Sequence, residues 1–165
     1  MKLSIRKKCS GRKNNFMRRY FLFVILLTCV TVVGAEERVT DFNKWNGTKV
    51  KISQPQAARI NQIIVDVKFP PQHELLTDVT PKPHLRLYNS AGKQLAAFDL
   101  TGPSQKFKFK RQIKSDKLFA ELTLFYCKTG DQGLCLMKNV LFEVSLDKKL
   151  PQQDLTLNFE VKDEY

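Results

Sequence analysis

Two stretches of strict every-second-residue alternation, lying between positions 118 and 146, do most to narrow the folds open to this chain. Leu118, Ala120, Leu122, Leu124 and Tyr126 recur at a spacing of two, and Val140, Phe142, Val144 and Leu146 repeat the pattern further on. A period of two lines these side chains along one face of an extended strand, whereas a helix would scatter them around its axis. We therefore read 118–127 and 134–146 as strands. The segment between them is polar and contains Gly130, Asp131 and Gly133, residues that favour tight reversals. The pair reads as a β-hairpin.

Weaker versions of the same signal fill the remainder. Ile63, Val65, Val67 and Phe69 align over 61–69, and Pro70-Pro71 ends that run because proline cannot donate to a central ladder. A Thr- and Pro-rich loop is expected over 72–83. Alternation resumes over 84–88 with Leu85 and Leu87, and Asn89-Ser90-Ala91-Gly92 is turn chemistry that lets 94–100 return. After Thr101-Gly102-Pro103-Ser104, Phe107 and Phe109 alternate with Lys106, Lys108 and Lys110. Leu155, Leu157, Phe159 and Val161 align near the end, and 49–53 is a short candidate near the beginning. About eight short strands with no sustained helical period indicate an all-β sandwich or barrel. We expect an immunoglobulin-like β-sandwich over 58–165, with 36–57 as a lead-in. Trp45 precedes the strong strands, so the strand-C tryptophan of antibody domains has no counterpart.

The N-terminus has a different character. Residues 1–19 hold eight Lys and Arg and no acid, residues 20–35 are uncharged and largely apolar, and Val33-Gly34-Ala35 is followed by two glutamates. A basic region, an apolar region and a small-residue site make up a secretory signal peptide. The same segment can also be an uncleaved anchor, and in that case residues 20–35 are the chain's membrane contact. That run is shorter than the ~20 residues of a typical span. Leu26-Leu27-Thr28-Cys29 is a poor lipidation site, since apolar sequence continues beyond the cysteine. Either reading exports the domain, and the periplasm of a Gram-negative bacterium is the expected compartment, with an inner-membrane anchor facing it as the alternative.

Setting residues 1–35 aside changes the charge argument. The chain carries 28 Lys and Arg against 16 Asp and Glu; without those first eight cations the excess is only four. A nucleic-acid binder concentrates its charge on the folded part, so no nucleic-acid partner is expected. The row Lys106, Lys108, Lys110, Arg111, Lys114 and Lys117 reads first as the wet face of a strand and second as a surface for an anionic partner. Asn46-Gly47-Thr48 is an acceptor sequon with meaning only in a eukaryotic secretory route.

Cys9 and Cys29 fall in the first 35 residues, leaving Cys127 and Cys135 for the domain. One ends a predicted strand and the other opens its partner, and paired strands bring Cα atoms within about 5 Å, close enough for a disulfide. An oxidising compartment allows that bond to form. As a staple, closing nine residues contributes roughly 2.5 kcal/mol by chain entropy. As a redox pair, it needs an accessible sulfur and a populated thiolate; Lys128 favours the thiolate and Asp131 opposes it. The spacing is not that of a CxxC motif. His73 and His84 sit in or beside the Pro-rich loop, are expected to be solvent-exposed, and are too far along the chain to complete a metal site. No Ser/His/Asp set, carboxylate pair or phosphate-binding glycine loop is present, and no cofactor or metal is expected.

The string Leu122-Thr-Leu-Phe-Tyr-Cys127-Lys-Thr-Gly-Asp-Gln-Gly-Leu-Cys135-Leu-Met-Lys-Asn-Val-Leu-Phe-Glu-Val-Ser-Leu146 resembles the C-terminal β-domain of NHL-repeat proteins that also carry a thioredoxin-like domain. Val67-Lys-Phe-Pro-Pro-Gln-His-Glu-Leu75 is similar to the strand-then-proline entry of that domain. The hairpin also resembles the N-terminal periplasmic domain of the thiol:disulfide interchange protein family DsbD, an immunoglobulin-like sandwich. The resemblance spans about residues 58–161, and its specific part is the hairpin. It implies that Cys127 and Cys135 exchange electrons with a thioredoxin-like or other periplasmic protein, with Tyr126 as a hairpin neighbour. The sequence departs from the interchange domain in its seven-residue spacing and in Leu136-Met137, where that domain carries a Tyr-Pro-Pro type sequence. The expectation is therefore an exported β-sandwich with a hairpin disulfide, serving either as a non-catalytic binding module or as a thiol–disulfide exchange module.

Overall fold

Alternation and turn chemistry produce the strands nearly where they are legible. The computed structural model describes residues 40–130 and 135–162. Residues 1–35, with Cys9, Cys29 and the small-residue site, lie outside the described residues, as does Asp131. After one turn of 3-10 helix at Phe42–Lys44, the described chain forms β1 (Thr48–Ala57), β2 (Arg59–Lys68), β3 (His73–Leu75), β4 (His84–Asn89), β5 (Gln94–Asp99), β6 (Ser104–Gln112), β7 (Lys117–Lys128), β8 (Cys135–Asp147) and β9 (Gln153–Glu160). Among the described residues no helix is long and apolar enough to cross a membrane.

The strands pack as two sheets. The larger runs β1-β8-β7-β4-β5, with β3 added to β7, and the smaller runs β6-β2-β9. The order β8-β7-β4-β5 opposite the antiparallel pair β2–β6 is the G-F-C-C′ against B-E arrangement of immunoglobulin-like sandwiches. Two strands join in parallel: β1 to β8 and β9 to β2. Their partners are distant in sequence, and local pattern alone does not reveal them.

The predicted faces meet between the sheets. Ile63, Val65 and Val67 from β2, Leu85 and Leu87 from β4, Leu118, Ala120, Leu122, Leu124 and Tyr126 from β7, Val140, Phe142 and Val144 from β8, and Leu155 and Leu157 from β9 are all buried in one cluster. Each large side chain fully buried in this way contributes about 1.5–3 kcal/mol, and that burial holds the two sheets together. On β6, Phe109 is buried and Phe107 half-buried while Lys106, Lys108 and Lys110 are exposed, so this lysine row is the wet face of an edge strand. Charged side chains there discourage edge-to-edge pairing.

Three features differ from expectation. β3 is a strand inside the segment expected to be loop. Three residues are too few to show alternation, and β3 exists because β7 extends far enough to pair with it. β1 runs longer than 49–53, since its parallel pairing with β8 carries it on past an irregularity between Ile52 and Gln56. A bulge also interrupts β6, where Ile60 pairs with Arg111 but Gln62 with Lys108. There Lys110 takes a φ of 28°, and local bulges of this kind bend an edge strand.

Candidate functional site

Cys127 and Cys135 are direct cross-strand partners, the last registered pair of the β7–β8 ladder. Their Cα atoms are 4.1 Å apart and their sulfurs form a disulfide. The strand period decides where that bond lies. Because Leu118 through Tyr126 point into the sandwich at even positions, Cys127 points outward, away from the core. The disulfide therefore sits on the outer face of the larger sheet at one end of the hairpin. Cys127 is half-buried and Cys135 is exposed.

β3 accounts for the difference. His73 pairs with Lys128, Glu74 with Cys127 and Leu75 with Tyr126. The Thr129 amide and hydroxyl both donate to the Gln72 carbonyl, at 2.6 and 3.0 Å, and the Leu76 amide donates to the Phe125 carbonyl at 2.8 Å. The turn into β3 is built by Pro70, whose carbonyl accepts from the His73 amide at 3.2 Å, and by Gln72 with φ 62°. Cys127 thus has a strand on each side. On the other flank of β8, β1 begins to pair only at Val140. Among the described residues no strand covers positions 135–137 on the side away from β7.

Tyr126 is buried beneath the site, its ring 5.5 Å from that of Phe69 and 6.0 Å from that of His73. The expected solvent exposure of the two histidines is corrected: both are only half-exposed, with Nε2 buried. Their Nδ1 atoms lie 3.0 Å from the Pro71 carbonyl and 2.9 Å from the Lys82 carbonyl. They are built into the chain's course around β3 and β4 rather than displayed in a loop. Among the described residues, no group of His, Cys, Asp or Glu is placed to hold a metal ion.

The structure also brings together residues that sequence reading did not single out. Glu74, exposed on β3, is the registered partner of Cys127, so an acidic residue flanks the cysteine that Lys128 follows in sequence. Phe125 pairs with Met137 directly beside the disulfide, and Met137 is 59% exposed. The signal in the sequence was an apolar residue at an outward position of β8, two beyond Cys135.

Elsewhere on the outer face of this sheet several side chains have structural partners. Phe42 stacks on Phe119 at 4.4 Å and meets Tyr88 edge-on at 5.3 Å. The Tyr88 hydroxyl donates to Glu121 at 2.7 Å; burial first, then that carboxylate, pushes its pKa up to about 12. Lys117 donates to Glu143 at 2.6 Å. That hydrogen bond, with Lys51 and Lys49 nearby, holds the Glu143 carboxyl below its ordinary value against the opposing effect of partial burial.

No family model matches the chain, and no curated protein matches it. What the fold and the site define is a disulfide-bearing β-sandwich, a kind of bond suited to an oxidising, exported setting. Its cross-link lies on the surface and takes no part in joining the two sheets.

Proposed function

We propose that this domain is an exported thiol–disulfide exchange module of the periplasm whose Cys127–Cys135 bond cycles with a dithiol partner protein. The observation that carries the reading is the asymmetry of the pair: Cys135 is exposed and, among the described residues, no strand flanks it on the side away from β7, while Cys127 is half-buried between β3 and β8. Attack on a disulfide sulfur runs close to the S–S axis, because the incoming lone pair enters the antibonding orbital of that bond. Approach to Cys135 comes across the flank of β8 that no described strand covers, whereas approach to Cys127 comes over Glu74 and β3.

The partner's thiolate therefore attacks Sγ of Cys135, a mixed disulfide forms, and Cys127 leaves as a thiolate that takes a proton from water. The partner's second thiolate then attacks its own linked sulfur and releases Cys135. The partner ends as a disulfide and this domain as a dithiol, with two electrons passed. The resemblance of the hairpin to the interchange domain supports the same chemistry.

A second reading keeps the bond as a staple in a non-catalytic binding module. Its support is the position of the bond at the last pair of the ladder, where a cross-link prevents the hairpin end from fraying. Titration of the oxidised full chain with glutathione or dithiothreitol separates the two. A potential near about −230 mV or higher agrees with exchange, and resistance to reduction until below roughly −300 mV establishes the staple.

A further inference from the structure

We infer that the cross-strand pair Phe125–Met137 is the docking contact for a protein dithiol at Cys135, an inference that rests on the exchange reading above. Met137 is the most exposed large apolar residue among the described residues. It lies on the same strand face as Cys135, two positions along, which in β-geometry is about 6.6–6.8 Å. In the mixed disulfide the partner's sulfur is bonded to Cys135 at about 2 Å. A folded protein is wider than this spacing, so one whose cysteine comes that close brings the surface around that cysteine within reach of Met137. Phe125, its registered partner on β7, is half-buried and continues the apolar strip. Next to this strip runs the row of Glu74, Cys127 and Cys135.

The chemistry defines the partner. Its reactive cysteine is ringed by uncharged, apolar surface that takes up the Met137 thioether, a flexible side chain suited to adaptable contacts. A small dithiol reaches Cys135 without covering this strip, so the strip selects a protein reductant over a small one.

The test compares reductants on the oxidised full chain. The rate of reduction of Cys127–Cys135 is measured with dithiothreitol and with thioredoxin held reduced by its own reductase, for wild type, Met137→Leu and Met137→Glu. We expect Met137→Glu to slow thioredoxin about tenfold, the effect of losing a central interface anchor, and to leave the dithiothreitol rate within about twofold, the screened repulsion of one surface carboxylate on a small thiolate. Met137→Leu keeps both rates. Equal loss of both rates in Met137→Glu shows that the residue acts on the disulfide itself and overturns the docking inference. An unchanged thioredoxin rate in Met137→Glu overturns it as well. Wild type that dithiothreitol reduces readily and thioredoxin does not overturns the exchange reading with this partner class, and the inference with it.

Discussion

If the disulfide is to cycle, the dithiol domain must stay folded, and the size of the loss can be worked out. Replacing both cysteines, Cys127→Ser with Cys135→Ser, removes a bond between residues eight apart in sequence. The chain-entropy relation for such a loop gives about 2.5 kcal/mol. Neither cysteine belongs to the buried cluster, and the hairpin retains ten further registered pairs. Domains of this size are stable by about 5–15 kcal/mol, so the variant is expected to be folded but weaker. With a urea slope of about 1–3 kcal/mol per molar, the midpoint falls by about 1–2.5 M. Equilibrium urea unfolding followed by fluorescence of Trp45, the sole tryptophan, measures it. A variant already unfolded without urea would falsify the view that the bond is peripheral to the fold. A midpoint that does not move refutes the chain-entropy estimate instead.

Three other outcomes follow from the packing. Phe142, 1% exposed at the centre of β8, should cost about 3–5 kcal/mol when changed to Ala, and the same urea titration reads it. A Cβ on Gly47 would lie 2.8 Å from the Asn139 carbonyl oxygen and 2.9 Å from Trp45 Nε1; Gly47→Ala should therefore lose about 1–3 kcal/mol and shift the tryptophan emission. The raised pKa of Tyr88, about 12 against 10.0, means that the unfolded chain loses this proton first. Its contribution is complete below pH 10 and declines as the pH rises through 10 towards 12. Tyr88→Phe should remove that part of the alkaline decline in urea midpoint, and an unchanged decline contradicts it.

Much of this was written in the local pattern. Along β7 and β8 the apolar period is unbroken, so strand, inner face and the meeting of Cys127 with Cys135 all follow from the spacing of Leu118 through Leu146. The same holds for the lysine row of β6, where each cation neighbours an inward phenylalanine. β3 was not legible because its identity as a strand comes from its partner, and Pro70-Pro71 just before it signals only an ending. Nor were the parallel additions of β1 and β9 legible, since parallel partners have no connecting turn to announce them. The histidines misled for a related reason: Pro-rich surroundings suggest exposure, but His73 and His84 open strands that pair with β7. At the site, the cysteines could be read from spacing, while their inequality could not. It arises from β3 on one flank and the late start of β1 on the other.

β3 and β4 lie end to end along one side of β7, and their lengths differ. β4 pairs with six residues of β7, from Leu118 to Thr123, and β3 with three, from Tyr126 to Lys128. The hairpin is thus held by two clamps of unequal strength, the weaker one at the disulfide. Amide hydrogens near Cys127 should exchange through small local openings, while those near Ala120 wait for wholesale unfolding. Breaking the sulfur–sulfur bond would loosen the tip, and the body of the sandwich, which exchanges only through wholesale unfolding, would lose protection by as much as the global stability falls.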